Sequence, residues 1–520
     1  MRRITVTVTA ATLLAAGLPV YAQAQEQKLP AQYADQTITW GPCADIANSE
    51  ALECGTFRSP RDWNRVGDGK KITIAVSRLK RTTPAKTSVL TNPGGPGAPG
   101  RDLPLAFTDH ARLVDNVELV GIDVRGTGAS TNLTCGGFNH LDVTDPRDRS
   151  KANLKLLYDA AEFEATSCQV KGGEYGAVVN TEQTVKDLDL LRHLLGREKI
   201  SWLGYSGGTW MGAYYATYFP NRVDRFVLDS NTNFVSTWQD VFDNFPYAFE
   251  RRFRTDFTPW VAKYDGLYHL GGTAEQVRQT YEATRAKLVT NPIRLPGGTL
   301  FDGPQLDFVL IGGMYSKYNF ATAAQTLAQA GSESADTQAL AGAVAAVAKA
   351  GAADPQYADA ADATGNAILC NDTKFNGNRQ YLVNEANRLG KQYPLIGYYQ
   401  ITAACAFWDR PALQLRKPTG KGVPPVLMVQ TERDPATPIE GAREAHAKFA
   451  GSRLLTVKNE GDHGAFGFGN KCVDDIVEAY LVDGKVPTKD LTCEGIGLPD
   501  PTAPSAKRSA TTTPVLPRVF

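Results

Sequence analysis

The sequence predicts an α/β fold in which a mostly parallel sheet carries helices on both faces and an inserted, mainly helical segment covers one edge. Two observations predict the sheet: short runs of β-branched and aliphatic residues recur along the chain, and they alternate with helical patterns, as in βαβ units. A third observation predicts the insertion. The strand pattern stops at about residue 233 and returns only after about residue 400, in a chain of 520 residues that has room for both parts.

Each element of the sheet follows from its local pattern. β-branched residues bounded by turn formers predict strands, and apolar residues spaced three or four apart predict helices. Strands are predicted at 71–76, 87–91, 118–123, 200–204, 225–229, 426–429 and 454–457, and helices at 181–195 and through Met211 to Tyr218. Aromatic helical stretches and an alanine-rich run at about 321–353 characterise the insertion.

The amino terminus predicts a secretory signal peptide. Arg2 and Arg3 precede an apolar run over 4–21, and Ala22-Gln23-Ala24 supplies a small-x-small cleavage pattern after Ala24. A membrane anchor is the alternative, but threonines dilute the run and it is short for a span. The predicted parts are therefore a signal peptide at 1–24, the first part of the core at 25–233, a cap at 234–400, the second part of the core at 401–496, and a disordered tail at 497–520.

Charge and length limit the partners of the exported chain. Lys and Arg together number 55, as do Asp and Glu, so no excess charge favours nucleic acid or an anionic membrane surface. No later segment is long and apolar enough to cross a bilayer. A peptide or small-molecule substrate fits better, and we expect a secreted protein without membrane attachment after signal cleavage. The sequence does not predict an oligomeric state.

The cysteines predict disulfide bonds. An even number, eight, follows an export signal, and their order favours pairing between neighbours. No pair has the close spacing, or the nearby histidine, of a zinc site, so we expect no metal. The expected pairs are Cys43 with Cys54, Cys135 with Cys168, Cys370 with Cys405, and Cys472 with Cys493.

A G-x-S-x-G motif carries the most specific chemical signal. Gly204-Tyr205-Ser206-Gly207-Gly208 lies between a predicted strand and a predicted helix, which is the context of the nucleophile elbow of the α/β-hydrolase fold. Glycines allow the tight turn that exposes the serine hydroxyl, and the following helix directs its amino end at the site. A chance glycine-rich turn is the alternative. We therefore predict Ser206 as a nucleophile.

A serine nucleophile requires a base, and His463 is the candidate. It follows the strand at 454–457 in a glycine-containing loop, late in the chain, where this fold places its histidine. A solvent-exposed loop histidine is the alternative reading. The remaining histidines either precede the elbow or lie in helical or inserted segments: His110, His140, His193, His269 and His446.

The third member of a triad should be an acid that follows a strand and precedes the histidine. Asp434 meets this description directly beyond the strand at 426–429. Glu432 is the rival, although Pro435 fixes a turn just after Asp434. The long interval between Ser206 and Asp434 is where the cap belongs.

The loop after the strand at 87–91 predicts an oxyanion hole. Asn-Pro-Gly-Gly-Pro-Gly over 92–97 lets backbone approach a substrate closely, and Gly95, or else Gly94, would donate an N–H together with Gly207. A phosphate site is disfavoured because the lysine and hydroxyl of a P-loop are missing. The Asp123-x-Arg125 pair is predicted to fix neighbouring loops by charged hydrogen bonds.

Together, these motifs make the chain resemble the secreted tripeptidyl aminopeptidases of actinomycetes, which are relatives of proline iminopeptidase. The resemblance rests on the loop at 92–97, Asp-Val-Arg-Gly-Thr-Gly-Ala-Ser at 123–130, the elbow, the late Asp434 and His463, and the segment between Cys472 and Cys493. It implies removal of amino-terminal tripeptides, often with proline or alanine near the scissile bond, without a cofactor. Two features depart from the family: Ala98-Pro99 replaces Gly-Ser, and Asp462 stands where glycine is common.

Two other functions remain open. A secreted carboxylesterase or lipase would use the same triad, and a catalytically inactive hydrolase fold could serve adhesion. An epoxide hydrolase or dehalogenase is disfavoured because it needs a carboxylate at the position of Ser206. An aminopeptidase with peptide or protein amino ends as substrates would need a carboxylate or several carbonyl oxygens in the cap to hold the substrate's amino group. Glu250, Asp240 and Asp243 are candidates, and the sequence does not choose among them.

Overall fold

The structure, a computed structural model, describes residues 29–348, 358–400 and 402–503. The predicted signal peptide and most of the predicted disordered tail lie outside these residues. The first residues of that tail contact the rest of the chain, because Trp260 Nε1 donates a hydrogen bond of 2.7 Å to the carbonyl of Pro499. No helix among the described residues is long and apolar enough to span a membrane.

A nine-stranded sheet forms the centre of the molecule. Its strands follow the spatial order β1-β2-β4-β3-β5-β6-β9-β10-β11, with β2 antiparallel to both of its neighbours and all other pairs parallel. They are β1 (Leu52–Pro60), β2 (Lys71–Leu79), β3 (Ser88–Asn92), β4 (Glu118–Asp123), β5 (Ile200–Tyr205), β6 (Val223–Asp229), β9 (Leu427–Thr431), β10 (Arg453–Lys458) and β11 (Leu491–Glu494). A separate hairpin pairs β7 (Ile293–Arg294) with β8 (Leu300–Phe301). The α/β-hydrolase fold is confirmed.

Seventeen α-helices accompany these strands among the described residues. Those of the core are α1 (Ala31–Ala34), α2 (Ala111–Asn116), α3 (Lys151–Gly176), α4 (Thr181–Leu194), α5 (Gly207–Tyr218), α16 (Ile439–Lys448) and α17 (Lys471–Asp483). Those between β6 and β9 are α6 (Trp238–Asp243), α7 (Phe245–Arg252), α8 (Thr258–Lys263), α9 (Asp265–Tyr268), α10 (Ala274–Thr290), α11 (Gly303–Met314), α12 (Phe320–Gly331), α13 (Thr337–Ala348), α14 (Ala360–Asp372) and α15 (Arg379–Gln392).

The central strands are apolar on both faces because helices cover both. Successive residues of a strand point to opposite faces. Accordingly Leu90 and Trp202 belong to the larger hydrophobic cluster, which continues into the cap, while Val89 and Leu203 belong to the cluster on the other face. The strands predicted from β-branched runs all lie at this sheet.

The chain between β6 and β9 forms a helical layer, as the interrupted strand pattern suggested for the cap. One contribution to it was not predicted. The long helix α3, which precedes the elbow, packs Leu157, Tyr158 and Ala161 against Leu382 and Ala403 at the end of the insertion. The cap is therefore held by two separate parts of the chain.

The four disulfide bonds join the expected neighbours: Cys43–Cys54, Cys135–Cys168, Cys370–Cys405 and Cys472–Cys493. Each closes a loop of between 11 and 35 residues. A crosslink of this kind stabilises a protein by restricting the unfolded chain. The Cys370–Cys405 bond ties α14 to the segment by which the chain leaves the cap.

Candidate active site

The carboxyl ends of five strands meet at one edge of the sheet and bring the candidate residues together. The register aligns Asn92 of β3 with Gly204 of β5, and Tyr205 of β5 with Asp229 of β6. Asp229 in turn pairs with Val429 of β9. The loops that follow β3, β5, β6, β9 and β10 therefore leave the sheet side by side. The predicted site residues lie in the loops after β3, β5, β9 and β10.

Ser206 occupies a strained turn between β5 and α5. Its φ of 54° and ψ of −124° lie outside the regions that non-glycine residues prefer. The turn fits only because its neighbours lack side chains: a Cβ at Gly204 would lie 2.5 Å from the carbonyl oxygen of Gly208. The Ser206 N–H donates a 3.1 Å hydrogen bond to the carbonyl of Asp229, which fixes the elbow to β6.

Asp434 and His463 form a buried pair. His463 Nδ1 lies 2.9 and 3.0 Å from the two carboxylate oxygens of Asp434. The carboxylate also accepts hydrogen bonds from the N–H groups of Ala436 and Thr437 and from the Thr437 hydroxyl, at 2.8 to 2.9 Å. The ring of Tyr315 meets the imidazole edge-on, with centroids 5.5 Å apart.

The other imidazole nitrogen is available for chemistry. A carboxylate at Nδ1 selects the tautomer that carries its proton there, which leaves a lone pair on Nε2. His463 Nε2 is buried, and it has no hydrogen-bond partner among the described residues. The structure records no hydrogen bond between this nitrogen and Ser206.

The rival candidates lie elsewhere. Glu432 accepts a hydrogen bond of 2.9 Å from the Asn459 N–H and does not contact His463. Three of the remaining histidines contact carboxylates away from the elbow: His110 pairs with Glu478, His140 with Glu164, and His446 with Asp490. The structure thus pairs His463 with Asp434 rather than with Glu432.

The glycine loop after β3 packs directly on the elbow. Gly94 and Gly95 have φ values of 100° and 106°, which side chains rarely adopt. A Cβ at Gly94 would lie 2.7 Å from the Gly207 nitrogen and 2.9 Å from the Ser206 Cβ. The Gly94 N–H already donates to Asn92 Oδ1 at 3.0 Å, whereas no hydrogen bond occupies the N–H of Gly95 or Gly207 among the described residues.

The Asp-x-Arg pair of the sequence has structural partners. Asp123 accepts hydrogen bonds from the N–H groups of Gly100 and Arg101, so it holds the far end of the glycine loop. Arg125 forms a buried bidentate pair with Asp187 of α4, with both contacts at 2.7 Å. These contacts fix loops and helices beside the site, as expected.

Asp229 is a site residue that the sequence analysis missed. Its carboxylate accepts N–H bonds from Ala465 and Phe466, and the neighbouring Ser230 hydroxyl accepts one of 2.7 Å from Gly464. The end of β6 therefore ties the elbow to the loop of His463. Burial raises the pKa of Asp229 to about 7, although these N–H groups oppose the rise. An acidic residue at the end of the predicted strand at 225–229 was the available signal.

The raised pKa of Asp229 predicts a pH-dependent stability. Because the folded state holds this proton more tightly than the unfolded chain, the group makes folding less favourable as the pH rises from about 4 to about 7. An Asp229→Asn variant lacks this effect. Relative to wild type, its free energy of unfolding should increase by up to about 4 kcal/mol between pH 4 and pH 8, at about 1.4 kcal/mol per pKa unit. Denaturant unfolding of both proteins at pH 4 and pH 8 measures this change. If the free energies of unfolding of variant and wild type differ by the same amount at both pH values, the prediction is contradicted.

Metal ligands do not gather at this site. Among residues 29–348, 358–400 and 402–503, no group of three or more His, Cys, Asp or Glu side chains could hold a metal ion. The site contains a serine in a strained turn, a buried carboxylate–imidazole pair, and two backbone N–H groups without a hydrogen-bond partner among the described residues.

Two family models match the chain. The model described as alpha/beta hydrolase fold matches residues 87–281, which include the elbow and the glycine loop. The model described as TAP-like protein matches residues 393–493, which include Asp434 and His463. Solved structures of similar fold include an alpha/beta hydrolase from a deep-sea metagenome, at 10% identity over 80% of this chain and 96% of that chain with a TM-score of 0.38. Another is proline iminopeptidase of Mycobacterium smegmatis, at 14% identity over 86% and 97% with a TM-score of 0.32.

Curated relatives match almost the whole chain. Tripeptidyl aminopeptidase of Streptomyces lividans is 34% identical over 480 residues, which are 89% of this chain and 88% of that protein. Serine protease Hip1 of Mycobacterium tuberculosis is 27% identical over 488 residues, 88% and 91% of the two chains. Carboxylesterase B of the same organism is 28% identical over 483 residues, 88% and 89%. The chain therefore belongs to the tripeptidyl aminopeptidase family of α/β-hydrolase serine peptidases.

Proposed function

We propose that the protein is a secreted serine exopeptidase that releases short peptides, in the first place tripeptides, from free amino ends. The observation that carries the chemistry is the buried Asp434–His463 pair, whose Nε2 has no other partner, beside the strained Ser206 elbow. The Streptomyces relatives named tripeptidyl aminopeptidase support the substrate class. A preference for proline or alanine near the scissile bond rests on the family resemblance.

In this proposal Ser206 Oγ attacks the carbonyl carbon of the scissile peptide bond. His463 Nε2 accepts the hydroxyl proton as the C–O bond forms, and Asp434 stabilises the imidazolium through Nδ1–H. Negative charge develops on the carbonyl oxygen. The N–H groups of Gly95 and Gly207 point at that oxygen and stabilise it at the start of α5.

Collapse of this intermediate breaks the C–N bond. His463 returns its proton to the departing amine, which leaves as the shortened polypeptide, while the amino-terminal fragment remains as an ester on Ser206. A water molecule then attacks the ester carbonyl while His463 takes one of its protons. His463 returns this proton to Ser206 Oγ as the ester bond breaks, and the fragment leaves as a free acid. No cofactor takes part in these steps.

The cap contacts each loop of the site and supports an exopeptidase. Beside the glycine loop, a Cβ at Gly97 would lie 2.6 Å from the Gly365 nitrogen of α14. Aromatic side chains in successive contact continue from the elbow helix across the cap to the imidazole, with neighbouring ring centroids 4.1 to 6.1 Å apart. They are Trp210, Trp238, Phe242, Phe245, Phe249, Tyr315 and His463. We infer that this row closes the cleft to a chain that continues past it.

Among the three candidate cap acids, two have structural partners. Glu250 pairs with Arg254 and accepts the Leu395 N–H at 3.1 Å. Asp240 completes the capping box of α6, where it accepts hydrogen bonds from the backbone and hydroxyl of Thr237. Neither carboxylate is available to a substrate without breaking these contacts.

Asp243 is the remaining candidate for the substrate's ammonium group. It lines a pocket with Phe242 and Phe245 of the aromatic row, and it forms neither a helix cap nor an ion pair among the described residues. Burial and the nearby carboxylates of Asp240 and Glu385 raise its pKa to about 6, although Arg388 and a hydrogen bond with Tyr381 oppose the rise. A partly buried carboxylate favours a cation that restores its lost solvation. An extended tripeptide spans about 10 Å, so release of tripeptides requires about this distance between the Asp243 carboxylate and Ser206 Oγ.

A paired assay tests the requirement for a free amino end. One tripeptide anilide is compared with its amino-acetylated form. We expect acetylation to lower kcat/KM roughly 10- to 100-fold, because a charge-assisted hydrogen bond contributes about 1.5–3 kcal/mol. Asp243→Asn should reduce this discrimination, while Asp240→Asn, which alters a helix cap, should retain it. If the wild-type enzyme cleaves both substrates at equal rates, the exopeptidase proposal is wrong and the protein is an endopeptidase or an esterase.

A carboxylesterase is the second candidate function. It is favoured by the relative named Carboxylesterase B and by the fact that the same three side chains cleave esters. Turnover of a short acyl ester alongside the unblocked anilide decides between the two. We expect both to be cleaved, since ester hydrolysis makes smaller demands on the leaving group. Cleavage of the ester alone would favour the esterase.

Export is proposed on two grounds. Four disulfide bonds are typical of proteins that fold in an oxidising compartment. The pattern at residues 1–24 is typical of a secretory signal peptide, which directs a protein to such a compartment. Protein recovered from culture medium should begin at Gln25, as amino-terminal sequencing would show.

A further inference from the structure

A chain of buried charges joins the cap to the two loops that hold Asp434 and His463. Arg433 Nε contacts Asp256 at 2.9 Å, Asp256 pairs with Arg252, and Arg252 Nη2 contacts Asp462 at 2.5 Å. Arg252 ends α7, and Asp256 lies one turn later in a π-helical turn, Phe253–Phe257. The outer members of the chain are the residues that immediately precede the acid and the base.

A second cation strengthens the contact with the histidine loop. Lys317, which follows α11, pairs through Nζ with Glu460 and donates its backbone N–H to Asp462 at 2.7 Å. The N–H of His463 itself donates to the cap carbonyl of Tyr315 at 2.8 Å. The cap therefore contacts the backbone of the histidine loop as well as its side chains.

The cluster is closely packed and balanced in charge. Three cations, those of Arg252, Lys317 and Arg433, face the carboxylates of Asp256, Glu460 and Asp462. Arg252 is fully buried, and Asp462 is 2% exposed. Such a set of charges is retained only when its geometry is well satisfied, so it fixes the relative position of the elements that carry it.

The glycine between the two loop acids is required by this arrangement. A Cβ at Gly461 would lie 2.0 Å from Arg252 Nη1. The arginine could not retreat easily, because its guanidinium is held by carboxylates on both sides and its charge lies over the Phe320 ring. Asp462 thus has a specific partner in the cap.

We propose that Asp256 and Arg252 are positioning residues. Through their ion pairs with Arg433 and Asp462, they keep Asp434 and His463 in the relative position that proton transfer requires. Neither Asp256 nor Arg252 touches the reacting atoms. The cap then acts on the chemical step and not only on substrate binding. The proposal does not depend on which substrate is cleaved, because an ester and an anilide use the same imidazole.

The test compares Asp256→Asn with Asp189→Asn. Both carboxylates are buried and each bridges two arginines, Asp256 between Arg252 and Arg433, and Asp189 between Arg192 and Arg222. Asp189 lies on α4, away from the triad loops. Loss of the bridge at Asp256 should lower kcat at least about tenfold with little change in KM, because a displacement of about 1 Å in a catalytic group can cost 10²-fold. Both a short acyl ester and the unblocked anilide serve as substrates.

The pH profile supplies a readout that a purely structural role would not change. Removing one negative charge near the imidazole, and loosening Asp434, both disfavour the imidazolium. The acidic limb of the kcat profile in Asp256→Asn should therefore shift to lower pH, and Asp256→Glu should recover part of kcat. Asp189→Asn should keep the wild-type kcat and profile even where its thermal stability falls.

Two results would overturn the proposal. One is wild-type kcat and an unshifted profile in Asp256→Asn. The other is an equal loss of kcat in both variants, in proportion to their loss of thermal stability. If Asp256→Asn does not accumulate as folded protein, Arg433→Gln tests the same contact from the partly exposed side, and an unchanged kcat in that variant contradicts the positioning role.

Discussion

Replacing Ser206 with alanine should reduce hydrolysis of an unblocked tripeptide anilide by at least about 10³-fold, and by up to about 10⁶-fold. The reason is that Ser206 Oγ supplies the attacking atom, whereas the nearby Thr209 hydroxyl is engaged with the Ser206 carbonyl at 2.6 Å. The fold should survive, because alanine keeps the Cβ and Ser206 already has only 3% of its surface exposed. Initial rates and circular dichroism measure the two outcomes.

His463→Ala should behave in the same way, and the double variant should lose little more, because the members of a triad act as a unit. His446→Ala is the matched control, since that histidine contacts Ser452 and Asp490 and lies away from the elbow. Near wild-type hydrolysis in Ser206→Ala, or equal losses in His463→Ala and His446→Ala, would remove the proposed mechanism.

Replacing Gly94 with alanine should also cause a large loss of activity. The new Cβ would lie 2.5 Å from the Tyr205 carbonyl oxygen and 2.7 Å from the Gly207 nitrogen, and the φ of 100° is unfavourable for alanine. The loop must move away from the elbow, which displaces the Gly95 N–H. Loss of one oxyanion donor typically lowers kcat by about 10²- to 10³-fold.

Gly298→Ala separates crowding from backbone strain. Gly298 has a similar φ of 92°, but no atom lies within 4 Å of its Cβ position, and it belongs to the turn between β7 and β8. This control should keep the wild-type kcat. If Gly94→Ala keeps its kcat as well, the glycine loop does not form the oxyanion hole.

The parts of the fold that the sequence predicts are those encoded locally. The strands at 118–123 and 200–204 are mainly apolar and all their residues are buried, because helices cover both faces of the sheet. β1 was missed because polar and small residues such as Glu53, Gly55 and Thr56 interrupt its pattern at the edge of the sheet. Helix α3 was missed because its apolar residues serve two surfaces and show little periodicity.

The residues of the candidate site likewise fall into those that a local sequence pattern predicts and those that it does not. Ser206 is recognisable because a tight strand-to-helix turn demands flanking glycines, and Asp434 and His463 because the fold fixes their order along the chain. Asp229 and the cap residues Arg252 and Asp256 act through contacts that span up to 237 residues of sequence, and no local pattern encodes such contacts. The choice of Asp243 over Glu250 and Asp240 required knowledge of which carboxylates already form an ion pair or cap a helix.

The central claim is that an amino-terminal fragment is transferred to Ser206, and trapping that ester tests it most directly. The enzyme is mixed with an excess of a peptide with a free amino end, quenched in acid within a turnover, digested, and analysed by mass spectrometry. We expect the peptide containing Ser206 to gain the mass of the amino-terminal tripeptide less one water, and this adduct to be missing from Ser206→Ala. Turnover with an adduct on another residue, or with an internal substrate fragment on Ser206, would contradict the account.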